Sequence, residues 1–210
     1  NLINKNEIGK YHIDNKKINL INVNFNSNKA YAKITNKSSG YINECFDIAL
    51  KIIKIKKAFA LINGPVSKKH FLGKKFNGVT EYLSKKTKTS NTEVMLIYNK
   101  KISVSPITTH IPLKDVAKKI SKSLILKKIR IINNFYRSKL NKKPLIAVTG
   151  LNPHCESNYK NSEERNIIIP AIKVAKKQNL RVEGPFSADT MFIKKNIKKF
   201  DVVVGMYHDQ

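Results

Sequence analysis

Three of the five histidines follow short apolar runs that have the character of buried strands. His110, His154 and His208 each come within a few residues of the end of such a run. In open α/β sheets, ligands bind beyond the carboxyl ends of the strands, so three imidazoles there could hold a divalent metal and leave positions for a substrate. A surface or hydrogen-bonding role is the alternative, and the long separations add no local ligand motif. The three runs are residues 102–107, 145–149 and 202–206.

Four acidic residues are placed where they could serve chemistry or structure. Asp209 directly follows His208, and a carboxylate commonly orients a metal-bound imidazole; a solvated side chain at a strand end is the alternative. Asp189 is a candidate acid–base or orienting carboxylate, or an ordinary residue at a helix start. Glu163 and Glu164 are expected to favour the dipole of a helix that begins beside them.

A lysine follows a fourth apolar run, residues 58–62. The segment Asn-Gly-Pro-Val-Ser-Lys at residues 63–68 contains Gly64, which would let the backbone approach a ligand closely. Lys68 could meet a phosphate or carboxylate, and a tight turn with a solvated lysine accounts for the segment equally well. The chain has no GxGxxG segment, so the usual dinucleotide-binding fingerprint is absent.

The elements that must position these residues alternate along most of the chain. Between the apolar runs lie segments with helical periodicity, and one of them carries a stripe of Ile125, Ile129, Ile132 and Tyr136. Strands that alternate with helices predict an α/β fold with a largely parallel sheet. The first 40 residues predict short strands and turns. Helices are predicted at residues 41–54, 113–120, 123–140, 162–177 with a break at Pro170, and 188–199; strands are predicted at the four apolar runs.

The composition bounds the class of protein. The hydrophobic fraction of 41% is ordinary for a globular protein, and neither a spanning run of about 18 apolar residues nor a signal-peptide pattern occurs, which predicts a cytoplasmic protein without a membrane partner. Cys45 and Cys155 predict two reduced thiols.

The net charge of +27 allows a nucleic-acid partner. However, the lysines are spread along the whole chain together with isoleucine and asparagine, whose codons are also A/T-rich, and the basic stretches lack interleaved aromatic residues. We therefore do not expect nucleic-acid binding. A basic surface would instead attract phosphorylated, anionic substrates.

An ordered set of segments around these residues resembles the 4-hydroxythreonine-4-phosphate dehydrogenase family of pyridoxine biosynthesis. Each segment is a weak signal, and the ordered set, which spans roughly residues 58–210, is specific. The segments are INGPVSK at 62–68, GVTE at 78–81, TTHIPLKDV at 108–116, GLNPH at 150–154, EE to IPA at 163–171, GP at 184–185, ADTMF at 188–192 and MYHDQ at 206–210.

The resemblance implies that His110, His154 and His208 bind a divalent metal such as zinc, magnesium, manganese or cobalt. It also implies a homodimer whose two chains share the ligands of each site. The family oxidises the secondary hydroxyl of 4-phosphooxy-L-threonine with NAD or NADP, and the β-keto acid decarboxylates to 3-amino-2-oxopropyl phosphate. Thr80 would then contact the phosphorylated substrate, and Asp189 would lie near the reacting centre. The predicted catalytic residues are Asp189 and Lys68.

The sequence departs from the family in three places. Val79, which with Thr80 is assigned to substrate binding, stands where the family usually has a histidine. The change removes a donor to the substrate, so the substrate can differ from the family's. The small residues after the Asn-Pro-His motif are replaced at residues 155–158. The chain also stops at Gln210 and lacks the family's earlier Gly-rich segment, so we expect it to be a fragment cut at both ends and inactive alone.

The resemblance implies the two-domain architecture of isocitrate and isopropylmalate dehydrogenases, incomplete here. Residues 1–72 would belong to the first domain and residues 73–210 to the second. Three alternatives remain: a sister dehydrogenase acting on threonate or erythronate phosphate, a basic nucleic-acid-binding protein, and an inert fragment that only folds or dimerises.

Overall fold

The computed structural model describes residues 1–14, 16–27, 29, 31–89, 92–155 and 159–210. The chain is divided into two compact units, residues 1–90 and residues 91–210. The division after residue 72 concerns the domains of the whole protein, and it stays a prediction.

The first unit contains one long helix, α1 (Ser39–Lys54), as the apolar spacing predicts. Its buried Phe46 packs with Leu72 and Tyr82 in a small core. Tyr82 comes from α2 (Val79–Lys86), which begins after Gly78. The other elements are the parallel two-residue strands β1 (Leu2–Ile3) and β2 (Leu20–Ile21), a 3-10 turn at Asn36–Ser38 and a π-helical turn at Lys68–Leu72.

The strand predicted at residues 58–62 is wrong. The segment has no regular secondary structure, and the side chains of Phe59 and Ile62 are 82% and 95% exposed. A buried strand needs neighbours on both edges to satisfy its backbone groups. Among the described residues of this unit, the only strands are β1 and β2, and they pair with each other.

The second unit is built on a four-stranded parallel sheet in the order β3-β6-β4-β5. The α/β fold with parallel sheets is thus confirmed. All residues of β4 and β6 are buried, because strands covered on both faces are apolar throughout. The strands are β3 (Ser103–Pro106), β4 (Ile146–Thr149), β5 (Val182–Phe186) and β6 (Val202–Gly205).

Strand β5 was not predicted. Its sequence Val-Glu-Gly-Pro-Phe is not an apolar run, and it contains both Gly184 and Pro185. Proline has no backbone N–H to donate, so within sheets it is confined to edges and irregular positions. Strand β5 is such an edge, and the register of its pairing with β4 shifts between Ala147 and Thr149.

Among the described residues of this unit, five helices accompany the sheet, and the apolar stripe predicted for the longest is buried. Ile125, Ile129, Ile132 and Tyr136 of α4 pack in the main core with side chains of β4 and β6. None of the described helices is long and apolar enough to cross a membrane. The helices are α3 (Leu113–Lys119), α4 (Lys122–Lys139), α5 (Ile169–Lys177), α6 (Ala188–Met191) and α7 (Lys194–Ile197).

Two predicted helices are divided in the structure. Pro170 lies at the start of α5, after a π-helical turn at Glu164–Ile168, so the predicted break is confirmed. The single helix predicted at residues 188–199 is wrong, because it is split into α6 and α7 at Ile193, whose backbone is extended. The Asn196 side chain donates to the Thr190 carbonyl at 3.0 Å, which satisfies the end of α6 in place of continued helix.

Candidate active site

The loops that carry His110, His208 and His154 leave the sheet at one edge. They follow β3, β6 and β4, which are adjacent and parallel, so their carboxyl ends lie side by side. This is the edge at which open α/β sheets bind ligands.

His110 and His208 are brought together. Their ring centres are 5.7 Å apart with the planes inclined by 29°, and both rings line a cavity of about 530 Å³. The His208 Nδ1 lies 2.7 Å from Asp209 Oδ1, which is the contact expected of a carboxylate that orients the ring. With metal–nitrogen bonds of about 2.1 Å, the centres of two imidazoles on one ion are roughly 5–6 Å apart, and the separation of this pair agrees with that value.

His154 lies apart from that pair. It occupies a 3-10 turn, Pro153–Cys155, with a left-handed backbone at φ 55°, and it lines a different cavity with Asn152 and Tyr159. Within the described ranges, no three His, Cys, Asp or Glu side chains are close enough to hold a metal. The structure therefore brings together two of the three predicted ligands, and the assignment of all three to one metal stays a prediction.

Asp189 stands beside His154. Its Oδ2 is 3.5 Å from the imidazole Nδ1, and its other oxygen accepts a short hydrogen bond from the Ser187 hydroxyl. That hydrogen bond, helped by His154, lowers the pKa of Asp189. The side chain is exposed at the start of α6 and is therefore an ionised carboxylate at neutral pH.

The role of Glu164 differs from the predicted one, which was only to stabilise the dipole of a neighbouring helix. Its side chain is fully buried, and Oε1 accepts hydrogen bonds from the backbone N–H groups of Leu151 and Asn152 at 2.7 and 2.8 Å. The Asn152 amide donates to Oε2 at 2.8 Å. Burial alone would raise the pKa of Glu164, but these hydrogen bonds to the carboxylate outweigh it and the pKa is lowered.

The other glutamate, Glu163, is half-buried and accepts a second hydrogen bond from the Asn152 amide at 2.9 Å. The two adjacent glutamates thus hold the segment that leads to His154. No local pattern could reveal this, because the partners are eleven to thirteen residues away.

Two further polar residues at this edge escaped the sequence analysis. Gln210 and Thr108 make hydrogen bonds that join neighbouring strand-end loops. Their only sequence signal is their place in the segments that carry His208 and His110.

Both cysteines are free thiols, as predicted. Cys155 follows His154, and burial raises the pKa of its thiol. Its Sγ lies so close to Gly150 that a Cβ at that glycine would be 2.6 Å away, so the loop is closely packed there. The replaced segment, residues 155–158, lies outside the described residues beyond Cys155.

Lys68, Val79 and Thr80 belong to the first unit. Lys68 is exposed and begins the π-helical turn, and Thr80 is exposed near the start of α2. Val79 packs against the cluster of Phe46, Leu72 and Tyr82. A valine at this position therefore serves the core of its unit, whatever contact a histidine there would make.

Comparisons with known proteins agree on one family. The family described as pyridoxal phosphate biosynthetic protein PdxA matches residues 2–210. A 4-hydroxythreonine-4-phosphate dehydrogenase from a Sulfurihydrogenibium species is 42% identical over 166 residues, which are 77% of this chain and 51% of that protein. A protein from Oceanobacillus iheyensis with the provisional name D-threonate 4-phosphate dehydrogenase is 34% identical over 185 residues, covering 86% and 55%.

A solved structure has the same fold. The 4-hydroxythreonine-4-phosphate dehydrogenase from Klebsiella pneumoniae matches with a TM-score of 0.75 and 30% identity, covering 84% of this chain and 55% of that one. The chain spans about half the length of the curated relatives it matches.

Proposed function

Since the chain belongs to the pyridoxal phosphate biosynthetic protein PdxA family, we propose that the whole protein oxidises 4-phosphooxy-L-threonine with NAD or NADP. The secondary hydroxyl becomes a carbonyl, and the resulting β-keto acid loses carbon dioxide to give 3-amino-2-oxopropyl phosphate. The observation that carries this proposal is the pairing of His110 with His208 at the carboxyl edge of the parallel sheet.

The proposed metal ligands are His110, His154 and His208. Imidazole nitrogen suits zinc and cobalt, and it serves other first-row divalent ions as well. A divalent ion bound there would supply Lewis-acid polarisation of the substrate's hydroxyl and carbonyl oxygens.

The chain's own side chains would complete the reaction. Asp189, an exposed carboxylate, would accept the proton of the substrate's hydroxyl, and NAD or NADP would supply the hydride acceptor when bound, so that charge and electrons balance. Its position beside His154 also suits it to orient that ring. Lys68 and Thr80 are exposed polar residues of the first unit that we assign to the phosphorylated substrate.

We also propose that the protein acts as a homodimer in which two subunits share the ligands of each site. The resemblance to the family implies this arrangement, and the separation of His154 from the other two histidines agrees with it. We place the protein in the cytoplasm, where its two free thiols would stay reduced.

A second candidate substrate is another phosphorylated four-carbon hydroxy acid, such as threonate or erythronate phosphate. Val79 favours this alternative, because an aliphatic side chain cannot donate the hydrogen bond to the substrate that the family's histidine would, and Val79 packs against the small core instead. The similarity to the Oceanobacillus protein is consistent with it. Parallel assays with both substrates distinguish the two.

The test is formation of NADH or NADPH by the full-length protein, with zinc, manganese or cobalt supplied. We expect turnover of 4-phosphooxy-L-threonine that a chelator abolishes and that His154→Ala reduces by about 100-fold or more, because loss of a ligand should cost at least as much as the roughly 10–100-fold that changes around ligands cost. His12→Ala, a histidine of the first unit outside these loops, is the matched control and should keep full activity. Turnover that persists in His154→Ala would exclude this metal site, and turnover of threonate phosphate alone would replace the substrate.

A further inference from the structure

We propose that Gln210, Thr108 and Glu164 are positioning residues that lock together the three loops carrying the histidines. The inference rests on the proposed metal site and adds to it the residues that set its geometry. Each of the three loops presents one ligand, to the chain's own site or to one shared with the partner subunit, and such ligands must be held to within about 0.5 Å.

Gln210 joins the ends of β4 and β6. Its Nε2 donates to the Gly150 carbonyl at 2.5 Å, at the start of the loop that leads to His154. Its Oε1 accepts from the Met206 backbone N–H at 2.6 Å, at the start of the loop that leads to His208, and from the Thr149 hydroxyl at 3.0 Å. The side-chain amide supplies both the donor and the acceptor that this arrangement needs.

Thr108 joins the ends of β6 and β3. Its hydroxyl donates to the Met206 carbonyl at 2.7 Å, and its backbone N–H donates to the same oxygen at 3.1 Å. Thr108 is buried and lies two residues before His110. Met206 is therefore held from both sides, through its N–H by Gln210 and through its carbonyl by Thr108.

Glu164 fixes the far side of the third loop. It accepts the N–H groups of Leu151 and Asn152, which directly follow the Gly150 carbonyl bound by Gln210. The hydrogen bonds thus run without a break from Thr108 through Met206, Gln210 and residues 150–152 to Glu164. They lie beyond the ends of the strands, so the sheet ladder itself does not require them.

The test is the affinity of the full-length protein for cobalt, measured by titration and by the visible absorption of the bound ion, which reports coordination geometry. Gln210→Met keeps the length of the side chain without its hydrogen bonds and introduces no charge near the ion. The chain offers a matched control in its one other glutamine, Gln178, whose side chain is exposed and accepts from Arg130. Gln178→Met makes the same chemical change away from the loops.

We expect Gln210→Met to weaken cobalt binding about tenfold or more and to alter the absorption bands, as changes around metal ligands do. Without metal, it should also speed hydrogen exchange at the amides of Leu151 and Asn152. Thr108→Val, which keeps the backbone bond to Met206, should act in the same direction and serves where Gln210→Met does not fold. Gln178→Met should leave all three measurements unchanged.

Two outcomes would overturn the proposal in different ways. If the wild type binds cobalt and Gln210→Met and Thr108→Val bind it with the same affinity and spectrum, the locking role is wrong while the metal site stands. If the wild type binds no cobalt, the metal site itself is wrong and the positioning role falls with it.

Discussion

Two carboxylates in the second unit have lowered pKa values for different physical reasons. Asp189 is exposed, and its pKa falls because the Ser187 hydroxyl donates to it. Glu164 is buried, and its pKa falls because two backbone N–H groups and an amide donate to the ionised form against the cost of burial. Asp189 is thus available to a substrate, whereas the Glu164 carboxylate accepts its hydrogen bonds from the protein's own Leu151 and Asn152.

Replacing Glu164 by glutamine should destabilise the fold by about 2 kcal/mol at neutral pH, because a charged acceptor of several hydrogen bonds is lost. The lowered folded-state pKa makes this contribution complete above the ordinary glutamate value of about 4.3, and it is lost as the pH falls through the folded value. The stability gap between wild type and Glu164→Gln should therefore be constant from pH 7 to about 5 and narrow below about 4.

Urea unfolding of both proteins across this pH range measures the gap. Glu163→Gln is the control, since Glu163 is half-buried and accepts one bond from Asn152, and it should cost less than about 1 kcal/mol. If the difference in unfolding free energy stays constant down to the lowest pH at which both proteins fold, the charge of Glu164 is not the source of the stabilisation.

At the residue scale, the sequence indicates candidate side chains better than it indicates what holds them. His110, His154 and His208 are candidates because each follows an apolar run; the structure pairs the first with the last, and the assignment of all three as ligands stays a prediction. Glu164 and Gln210 were missed because their partners lie far away in the chain, on backbone groups that only the folded sheet brings near.

At the scale of the elements, the opposite edge of the sheet is tied together by a separate polar cluster. The buried Tyr136 hydroxyl of α4 donates to Ser103 Oγ at 2.8 Å, where β3 begins, and lies 3.3 Å from the Asp201 carbonyl, just before β6. The Asp201 carboxylate accepts from the Leu145 N–H at 2.9 Å and pairs with Lys142. The long helix is thereby fastened to the strands away from the histidines.

Tyr136→Phe should therefore lower stability by about 1 kcal/mol through loss of the hydroxyl's hydrogen bonds. The change should leave cobalt affinity at the proposed metal site unaltered, because it acts at the amino-terminal edge of the sheet. Urea unfolding and the cobalt titration measure the two quantities. Tyr31→Phe, at a fully exposed side chain of the first unit, is the control for loss of a hydroxyl. Loss of cobalt binding in Tyr136→Phe without unfolding would show that the two edges are coupled.

The elements differ in how far the sequence predicts them. Strands β4 and β6 are buried on both faces and appear as apolar runs, so they were found. Strand β5 at the edge contains Gly184 and Pro185 and was missed. Residues 58–62 carry the same apolar signal as β4, yet Phe59 and Ile62 are largely exposed and only Leu61 packs against the small core. An apolar run indicates that a segment favours burial, but it does not indicate which strands would pair with it.

At the scale of the whole molecule, the net charge of +27 should act on substrate capture. The 41 lysine and arginine residues far exceed the 14 acidic ones, and the field of such a surface raises the local concentration of anions. Salt screens this field, with a Debye length of about 10 Å at 0.1 M and about 3 Å at 1 M. The proposed phosphorylated substrate should therefore bind less well as salt is added, while the chemical step inside the site changes little.

We expect the KM of the full-length protein for 4-phosphooxy-L-threonine to rise several-fold between 0.05 and 0.5 M potassium chloride, a range over which the screening length falls to roughly a third. The kcat should change by less than about twofold. Steady-state kinetics with saturating metal and cofactor separate the two constants. Cobalt affinity over the same salt series is the control, since a cation gains nothing from a basic surface and should not bind less tightly. A KM independent of salt would mean that the charge does not act on the substrate and follows from codon composition alone, which the even spread of the lysines also permits.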